Sequence, residues 1–303
     1  MTLLVAGYLT LDVTCLVSRI PDFDERITAD AVTQAPGGMA ANCACAAARL
    51  GSDVHFFGKA GTGELGNESI AALEAEGVDS RGVVRSDGGD SFCLIFVAPD
   101  GGRMIVSEPL DFDWRLFDEA VARGAEAFHV DGYRLHDARP RAEAARGRGI
   151  RSSIDLDGAE APQWSDLEAA AAAFSILLLN RGVAEAVGRA PADAAAELVA
   201  AGADVVAVTL GPDGIVVAAV GEPATRIAGF AVHHVDTTGA GDVFAGAFLH
   251  RLLGGASPTD AAVFANAAAA LSTTAISARG LLPTQEGVQH LLDSRPVIQE
   301  VQR

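Results

Sequence analysis

The sequence predicts one α/β domain over residues 1–303: a central, mostly parallel β-sheet flanked by helices, with a second, small β-sheet projecting from it. Three observations predict it. Short β-branched runs alternate with Ala-rich helical stretches through most of the chain, the pattern of parallel strands joined by crossover helices. Two segments, about 12–35 and 91–107, break that rhythm with β character and charged turns but no helix. The last third carries a glycine-rich heptad, Asp236-Thr-Thr-Gly-Ala-Gly-Asp242, between a β-branched run and a long helical stretch.

Strands of the body are expected at 3–6, 54–57, 127–130, 152–155, 176–179 and 205–210. Most are continuous apolar runs, as strands covered on both faces require. Helices are expected between them at 40–50, 67–76, 114–123, 139–146, 166–173 and 192–201. The runs 92–97 and 103–106 flank Pro99-Asp100-Gly101-Gly102 and read as a hairpin. With 12–35 they make a small antiparallel sheet projecting from the body. Further on, 205–210 and 215–220 flank the turn Gly211-Pro212-Asp213-Gly214. A strand at 232–235 then precedes the heptad, and helices follow at 243–253 and 259–274.

Composition excludes several classes. Lys and Arg number 22 and Asp and Glu 40, so the net charge is 22 − 40 = −18. A surface this acidic repels nucleic-acid phosphates and anionic lipid, which argues against both as partners. Hydrophobic residues make up 50% and charged residues 20%, a globular balance rather than a disordered one. The longest apolar run, around 169–179, is too short to cross a bilayer. The first residues lack the basic start of a signal peptide, and Asp12 interrupts their apolar run. Cys15, Cys43, Cys45 and Cys93 form no Cys-x-x-Cys pair and no zinc spacing with histidine, so buried reduced thiols in a cytoplasmic protein are expected.

Familiar nucleotide motifs fail. Gly239 and Gly241 begin a dinucleotide fingerprint, but Phe244 stands where its third glycine belongs. Gly61 to Gly66 has the frame of a Walker loop, but Asn67 replaces the required lysine. There is no Gly-x-Ser-x-Gly nucleophile elbow and no His-Glu-x-x-His, and the pair His233-His234 reads as a solvated strand end.

The heptad carries chemistry. Gly239 and Gly241 let backbone amides approach a ligand, and the start of the following helix has unpaired N–H groups and a positive dipole end, which together favour an anion. A carboxylate in such a place repels phosphate unless it has a task. Asp242 suits one: taking the proton of a hydroxyl that attacks phosphorus while the amides stabilise the transferring group. The helix end is expected to keep Asp242 ionised.

This heptad resembles the second signature of the ribokinase-like (PfkB) sugar kinases. Gly37-Gly38-Met39-Ala40-Ala41-Asn42, running into Ala46–Gly51, resembles the first. The resemblance covers essentially the whole chain and implies an α/β core with a β lid, ATP with Mg²⁺, and a small sugar acceptor. It puts Asp242 on the catalytic base and Gly239, Ala240 and Gly241 on the anion hole. Asp12, Gly38 and Asn42 fall on sugar-binding positions, and a carboxylate at Asp12 can accept from two adjacent hydroxyls. Thr209, Gly211 and Gly214 match a nucleotide segment, Asn266 an asparagine near adenine, and Asn180 the start of a Mg²⁺- and phosphate-linked motif. Asp236 with the Thr238 carbonyl would hold K⁺. Two departures stand out: Met39 replaces the lysine of ribokinases, and Asn180-Arg181-Gly182-Val183 lacks the glutamate of Asn-x-x-Glu, a lack shared with ketohexokinases.

Arg134 and Arg103 are candidate cations for ATP phosphates or for an anionic group on the sugar, and ketohexokinases and sulfofructose kinases carry an arginine near the former position. The expected activity is ATP-dependent phosphorylation of a ketose-like sugar. The alternatives are ribose, a nucleoside or a sugar acid on the same fold, or a non-catalytic sugar-binding regulator. Aromatic content of 6% disfavours a nucleoside stacking pocket. A homodimer through the exposed lid face is expected.

Overall fold

The computed structural model describes residues 2–99, 103–108, 113–157 and 162–294. The strands of the body are β1 (Thr2–Ala6), β4 (Asp53–Gly61), β5 (Asp79–Ser86), β8 (Ala127–Asp131), β9 (Arg151–Asp155), β10 (Ile176–Asn180), β11 (Val205–Thr209), β12 (Ile215–Ala219) and β13 (Glu222–Ile227). They form one nine-stranded sheet in the order β13-β12-β11-β10-β9-β8-β1-β4-β5. Only β12 runs against its neighbours. The smaller sheet holds β2 (Thr10–Leu16), β3 (Ala31–Gly37), β6 (Phe92–Val97) and β7 (Arg103–Ser107), in the order β3-β2-β6-β7. Its outer pairs are antiparallel, as the hairpin patterns predict, but β2 and β6 pair parallel because they enter the sheet from the same edge of the body. The turn residues 100–102 of the expected hairpin lie outside the described residues.

Two apolar layers cover the large sheet. On one face lie α1 (Met39–Arg49), α2 (Glu64–Ala75), α8 (Ala240–Leu253), α9 (Pro258–Ser272) and α10 (Gln285–Asp293). On the other lie α3 (Arg115–Ala122), α4 (Leu135–Arg146), α5 (Trp164–Ala173), α6 (Arg181–Ala186) and α7 (Pro191–Ala200). With few aromatic residues, packing relies on close approach. Along α1, Ala40, Ala41, Ala44, Ala46 and Ala47 are fully buried. A Cβ at Gly246 of α8 would come within 2.4 Å of the Cys43 carbonyl oxygen, so glycine there lets α8 lie directly on α1. That contact sets the distance between the two signatures.

Several expectations are corrected. Residues 232–235 form no strand: the amides of Val235 and Asp236 both donate to the Thr273 carbonyl, which ties the segment to the end of α9 as a loop. His233 and His234 are therefore exposed loop residues. Strands β5 and β13 escaped the pattern because both are polar edge strands, β13 with a proline at its second position. Cys43 and Cys45 are buried free thiols, whereas Cys15 and Cys93 sit half-buried on the small sheet. Among the described residues no helix is long and apolar enough to cross a membrane.

Candidate active site

The carboxyl ends of the parallel strands meet at one edge, where an open α/β sheet forms its crevice. Asp131 ends β8 and Asp155 ends β9, and the two are register partners. Asn180 ends β10 and Thr209 ends β11, also in register. The small sheet stands over this edge, and the start of α8 points into it.

At α8 the chain turns through Gly239 at φ 74°, a left-handed conformation suited to glycine. A Cβ there would strike Ala278, so the turn is packed against the loop after α9. The next turn buries Asp242. The side-chain amide of Asn42, on α1, donates to Asp242 Oδ2 at 2.8 Å. Burial pushes the Asp242 carboxyl well above its ordinary value; the Asn42 hydrogen bond opposes this, and the charges of Asp155, Asp157 and Asp12 add to the rise. Burial is the larger cause and the three carboxylates add to it, so the helix end expected to keep Asp242 ionised works against both, with only the Asn42 hydrogen bond on its side.

A second group of candidate residues is built on the turn before α1. Gly38 has φ 97°, and a Cβ on it would lie 2.3 Å from the Tyr8 carbonyl oxygen. Gly37 leaves room for the Asp12 carboxylate across the β2–β3 pair. Thr10 donates its hydroxyl to Asp12 Oδ1 at 2.8 Å. Burial raises the Asp12 carboxyl, while Thr10 and the Arg279 charge hold it back. In the small sheet, Arg103 and Asp12 lie in rows four residues apart and so share a face. Arg103 is exposed, and its charge reaches Asp157 and Asp236. Arg134 sits in the short turn after β8 and pairs with Asp137, with its charge felt by Asp131.

On the other side of the α8 start is a cavity of about 510 Å³. Thr209, Gly211, Gly214 and Asn266 line it, together with Ala240, Gly241 and the mostly apolar wall of Phe230, Phe244 and Ala270. Asn266 also donates to the Ala228 carbonyl at 2.9 Å, fixing the loop after β13. Asn180 does not line this cavity. Its Oδ1 caps α6 through the Val183 amide at 2.9 Å, and its side chain also hydrogen-bonds Asp157. Asp236 accepts from the amides of Thr238 and Ser277, both at 2.9 Å; burial pushes its carboxyl up, but these bonds prevail and its value is lowered. Both ends of the heptad are thus tied down, Asp236 by backbone amides and Asp242 by Asn42.

Four residues of this region were not read from the sequence as site residues. Asp131 and Asp155 are buried, and burial drives their carboxyls up to about 7 and about 8. Asp157 is likewise raised by burial. An Asp-x-Asp at a strand's carboxyl end was the available signal. Arg279 had none. It lies in an irregular loop after α9, and it donates from Nε to Asn42 Oδ1 at 2.7 Å and from Nη2 to the Gly37 carbonyl at 2.9 Å.

Comparison with known proteins agrees with this architecture. Residues 2–285 match the pfkB family carbohydrate kinase. The ATP-dependent ribose-1-phosphate kinase of Halopiger xanaduensis is 32% identical over 300 residues, covering 96% of this chain and 98% of that protein. Fructokinase-1 of Oryza sativa is 33% identical, covering 88% of this chain and 91% of its own. Among solved structures, the ribokinase of Thermotoga maritima superposes with a TM-score of 0.83 at 25% identity, covering 97% of this chain and 99% of that one. With residues 2–285 matched and these likenesses spanning nearly the whole chain, the chain belongs to the pfkB family of carbohydrate kinases, phosphotransferases with an alcohol acceptor.

Proposed function

We propose that this chain transfers the γ-phosphoryl group of MgATP to a hydroxyl of a small, ketose-like sugar, with Asp242 as the base. The observation that carries the reading is the position of Asp242. It stands at the start of α8, between the 510 Å³ cavity on one side and the Asp12–Gly38–Asn42 turn on the other. ATP occupies the cavity with its base among apolar side chains and its phosphates toward Ala240 and Gly241. The sugar lies under the small sheet, gripped by Asp12 and Asn42. As its hydroxyl attacks the γ-phosphorus, the proton passes to Asp242, and the Gly239–Gly241 amides stabilise the charge on the phosphoryl oxygens. A raised carboxyl suits this task, because a more basic carboxylate is a better match for an alcohol proton. The small sheet acts as a lid that keeps water from the phosphoryl group.

Among the described residues no group of three or more Asp, Glu, His or Cys is arranged to hold a metal ion. The donors at the site fit a Mg²⁺ carried by ATP phosphates and water, with protein oxygens from Asp157 and Asn180, since hard oxygen ligands suit it. Mg²⁺ there would neutralise phosphate charge. The raised carboxyls of Asp155 and Asp157 fit a place where cationic charge is wanted. Asp236, held in its ionised form, with the Thr238 carbonyl, is our assignment for K⁺.

A second reading, a sugar already bearing an anionic group, is favoured by Arg103 on the Asp12 face of the small sheet and by the likeness to a ribose-1-phosphate kinase. The test is ADP release with MgATP against fructose, ribose, ribose 1-phosphate, a sulfonated ketose, a nucleoside and a sugar acid, with and without K⁺. Fastest turnover of a neutral ketose supports the first reading. Preference for a phosphorylated or sulfonated sugar replaces it with the second, and no ADP from any acceptor overturns both.

We also assign a homodimer to the outer face of the small sheet. Register puts Val32, Leu94, Met104 and Val106 on the face opposite Asp12, and they are 58%, 42%, 37% and 53% exposed.

A further inference from the structure

We propose that Arg279 is a positioning residue for the base, acting through Asn42: it fixes which end of the Asn42 amide faces Asp242. The proposal rests on the reading of Asp242 as the base. The geometry is a three-member chain. Arg279 Nε donates to Asn42 Oδ1 at 2.7 Å, and Asn42 Nδ2 donates to Asp242 Oδ2 at 2.8 Å. Arg279 is anchored in turn by Nη2 on the Gly37 carbonyl at 2.9 Å.

The chemistry of the three groups leaves one arrangement. A guanidinium has only donors, and Asp242 in the ionised form that a base must take has only acceptors. An asparagine amide has one end of each kind. Between these neighbours its oxygen must face Arg279 and its NH₂ must face Asp242. A flipped amide would set NH₂ against guanidinium and carbonyl against carboxylate, losing both bonds and creating two repulsions. Arg279 therefore makes Asn42 an obligatory donor to the carboxylate. Without it, Asn42 is free to rotate, and the donor would be withdrawn from Asp242 for part of the time.

The same residue joins distant parts of the site. Asn42 and Arg279 are separated by 237 positions, and the Gly37 carbonyl belongs to the turn that abuts Asp12. Arg279 thus brings a cation to the turn before α1 from the other end of the chain. The loop that bears Arg279 also supplies the Ser277 amide to Asp236 and the Ala278 surface against Gly239. One loop thus braces the heptad and orients the acceptor-side asparagine.

The groups facing Asp242 are Asn42 and Cys43 from α1, Asp12 from β2, and Asp155 and Asp157 at the end of β9, with Asp131 of β8 beside Asp155. Against so many acids, a lost donor is felt as a rise in the Asp242 titration.

The test is a double-mutant cycle on the full chain, read two ways. Wild type, Arg279→Gln, Arg279→Lys, Asn42→Ala and Asn42→Ala/Arg279→Gln are compared by the pH dependence of kcat and by ¹³C carboxyl titration of Asp242, assigned by its loss in Asp242→Asn. Glutamine fills similar space but can present either end, whereas lysine can only donate. We expect Arg279→Gln to lower kcat about 10- to 100-fold and to move the Asp242 titration up by about one unit, with KM for ATP within about twofold of wild type. Arg279→Lys restores most of kcat. In the Asn42→Ala background, Arg279→Gln adds little. An unchanged titration in a folded Arg279→Gln variant overturns the proposal. So does a shift that persists in full without Asn42, which would make Arg279 a through-space charge only. Arg279→Lys carries the comparison if Arg279→Gln fails to fold. If the wild type turns over no acceptor, the kinase reading fails on its own, and the carboxyl titration still decides the role of Arg279.

Discussion

The two sides of the α8 start, which we assign to the phosphoryl donor and its acceptor, are built differently. The donor side is a cavity of backbone, small residues and apolar walls, and every residue lining it lies between Thr209 and Thr273. The acceptor side is crowded with charge: Asp12, Asp131, Asp155, Asp157 and Asp242 against Arg279 and Arg103. Its members come from residues 12 to 279. ATP needs a shaped slot and a few amides, which one contiguous segment can supply. Proton transfer to a buried carboxylate needs balanced charges, and those are collected from distant parts of the chain. The donor side should therefore answer to changes of volume, and the acceptor side to changes of charge.

The largest expected effect lies where the two sides meet. Asp242→Asn removes the base and one buried negative charge while keeping the shape. kcat should fall by about 10³-fold, within the range general bases contribute, while nucleotide binding persists and thermal stability is retained or raised. Steady-state kinetics, calorimetric ATP titration and thermal melts check this. Full activity in the variant would remove the base and erase the contrast drawn above.

A change of volume comes next. Ala270→Leu places a larger side chain at the cavity wall. An overpacking cost of 1–3 kcal/mol, of which one tenfold step is about 1.4 kcal/mol, predicts a KM for ATP raised by about 10-fold and a sugar KM left nearly unchanged. Equal changes in both would mean the two sides are one pocket.

The acidic layer gives a pH signature. Asp131 and Asp155 have folded values raised to about 7 and about 8, above their unfolded values, so the unfolded chain sheds these protons first and folding stability falls as pH rises from about 4 toward 8. His129 works the other way: burial lowers its value to about 3, so it adds stability as pH rises to about 6.5 and nothing more beyond. Between pH 6.5 and 8 the aspartates act without it, and Tm should drop over that window. Asp155→Asn should flatten the slope. Mg²⁺ with ATP should lessen it.

The smallest effect on turnover is expected away from both sides. Val106→Glu on the outer face of the small sheet should shift a homodimer toward monomer in light scattering and change kcat by less than about threefold. A wild-type protein that is monomeric at all concentrations would remove that interface.

Much of the fold was legible because it is written locally. Apolar runs marked the buried parallel strands, and glycines marked the turns on either side of the helices. The edge strands β5 and β13 were not legible, because an edge needs no continuous apolar face. The segment 232–235 misled for a related reason: its β-branched pattern is satisfied by hydrogen bonds to the Thr273 carbonyl rather than to a strand. In the site, Thr209, Gly211, Gly214, Gly239 and Asp242 stand in short signatures. Asp155 and Asp157 are visible only once β9 is known to end at the crevice.

By itself the sequence determined the layer architecture, the glycine-lined start of α8 and the two signatures that flank the reaction, since hydrophobic period and backbone freedom are properties of neighbouring residues. Tertiary structure alone decided the electrostatics. Whether Asp242 is ionised, which way Asn42 faces and why Arg279 matters all depend on groups brought within hydrogen-bonding distance across as many as 237 positions. Charge interactions depend on distance in space and on the water excluded between them, and neither can be read along the chain.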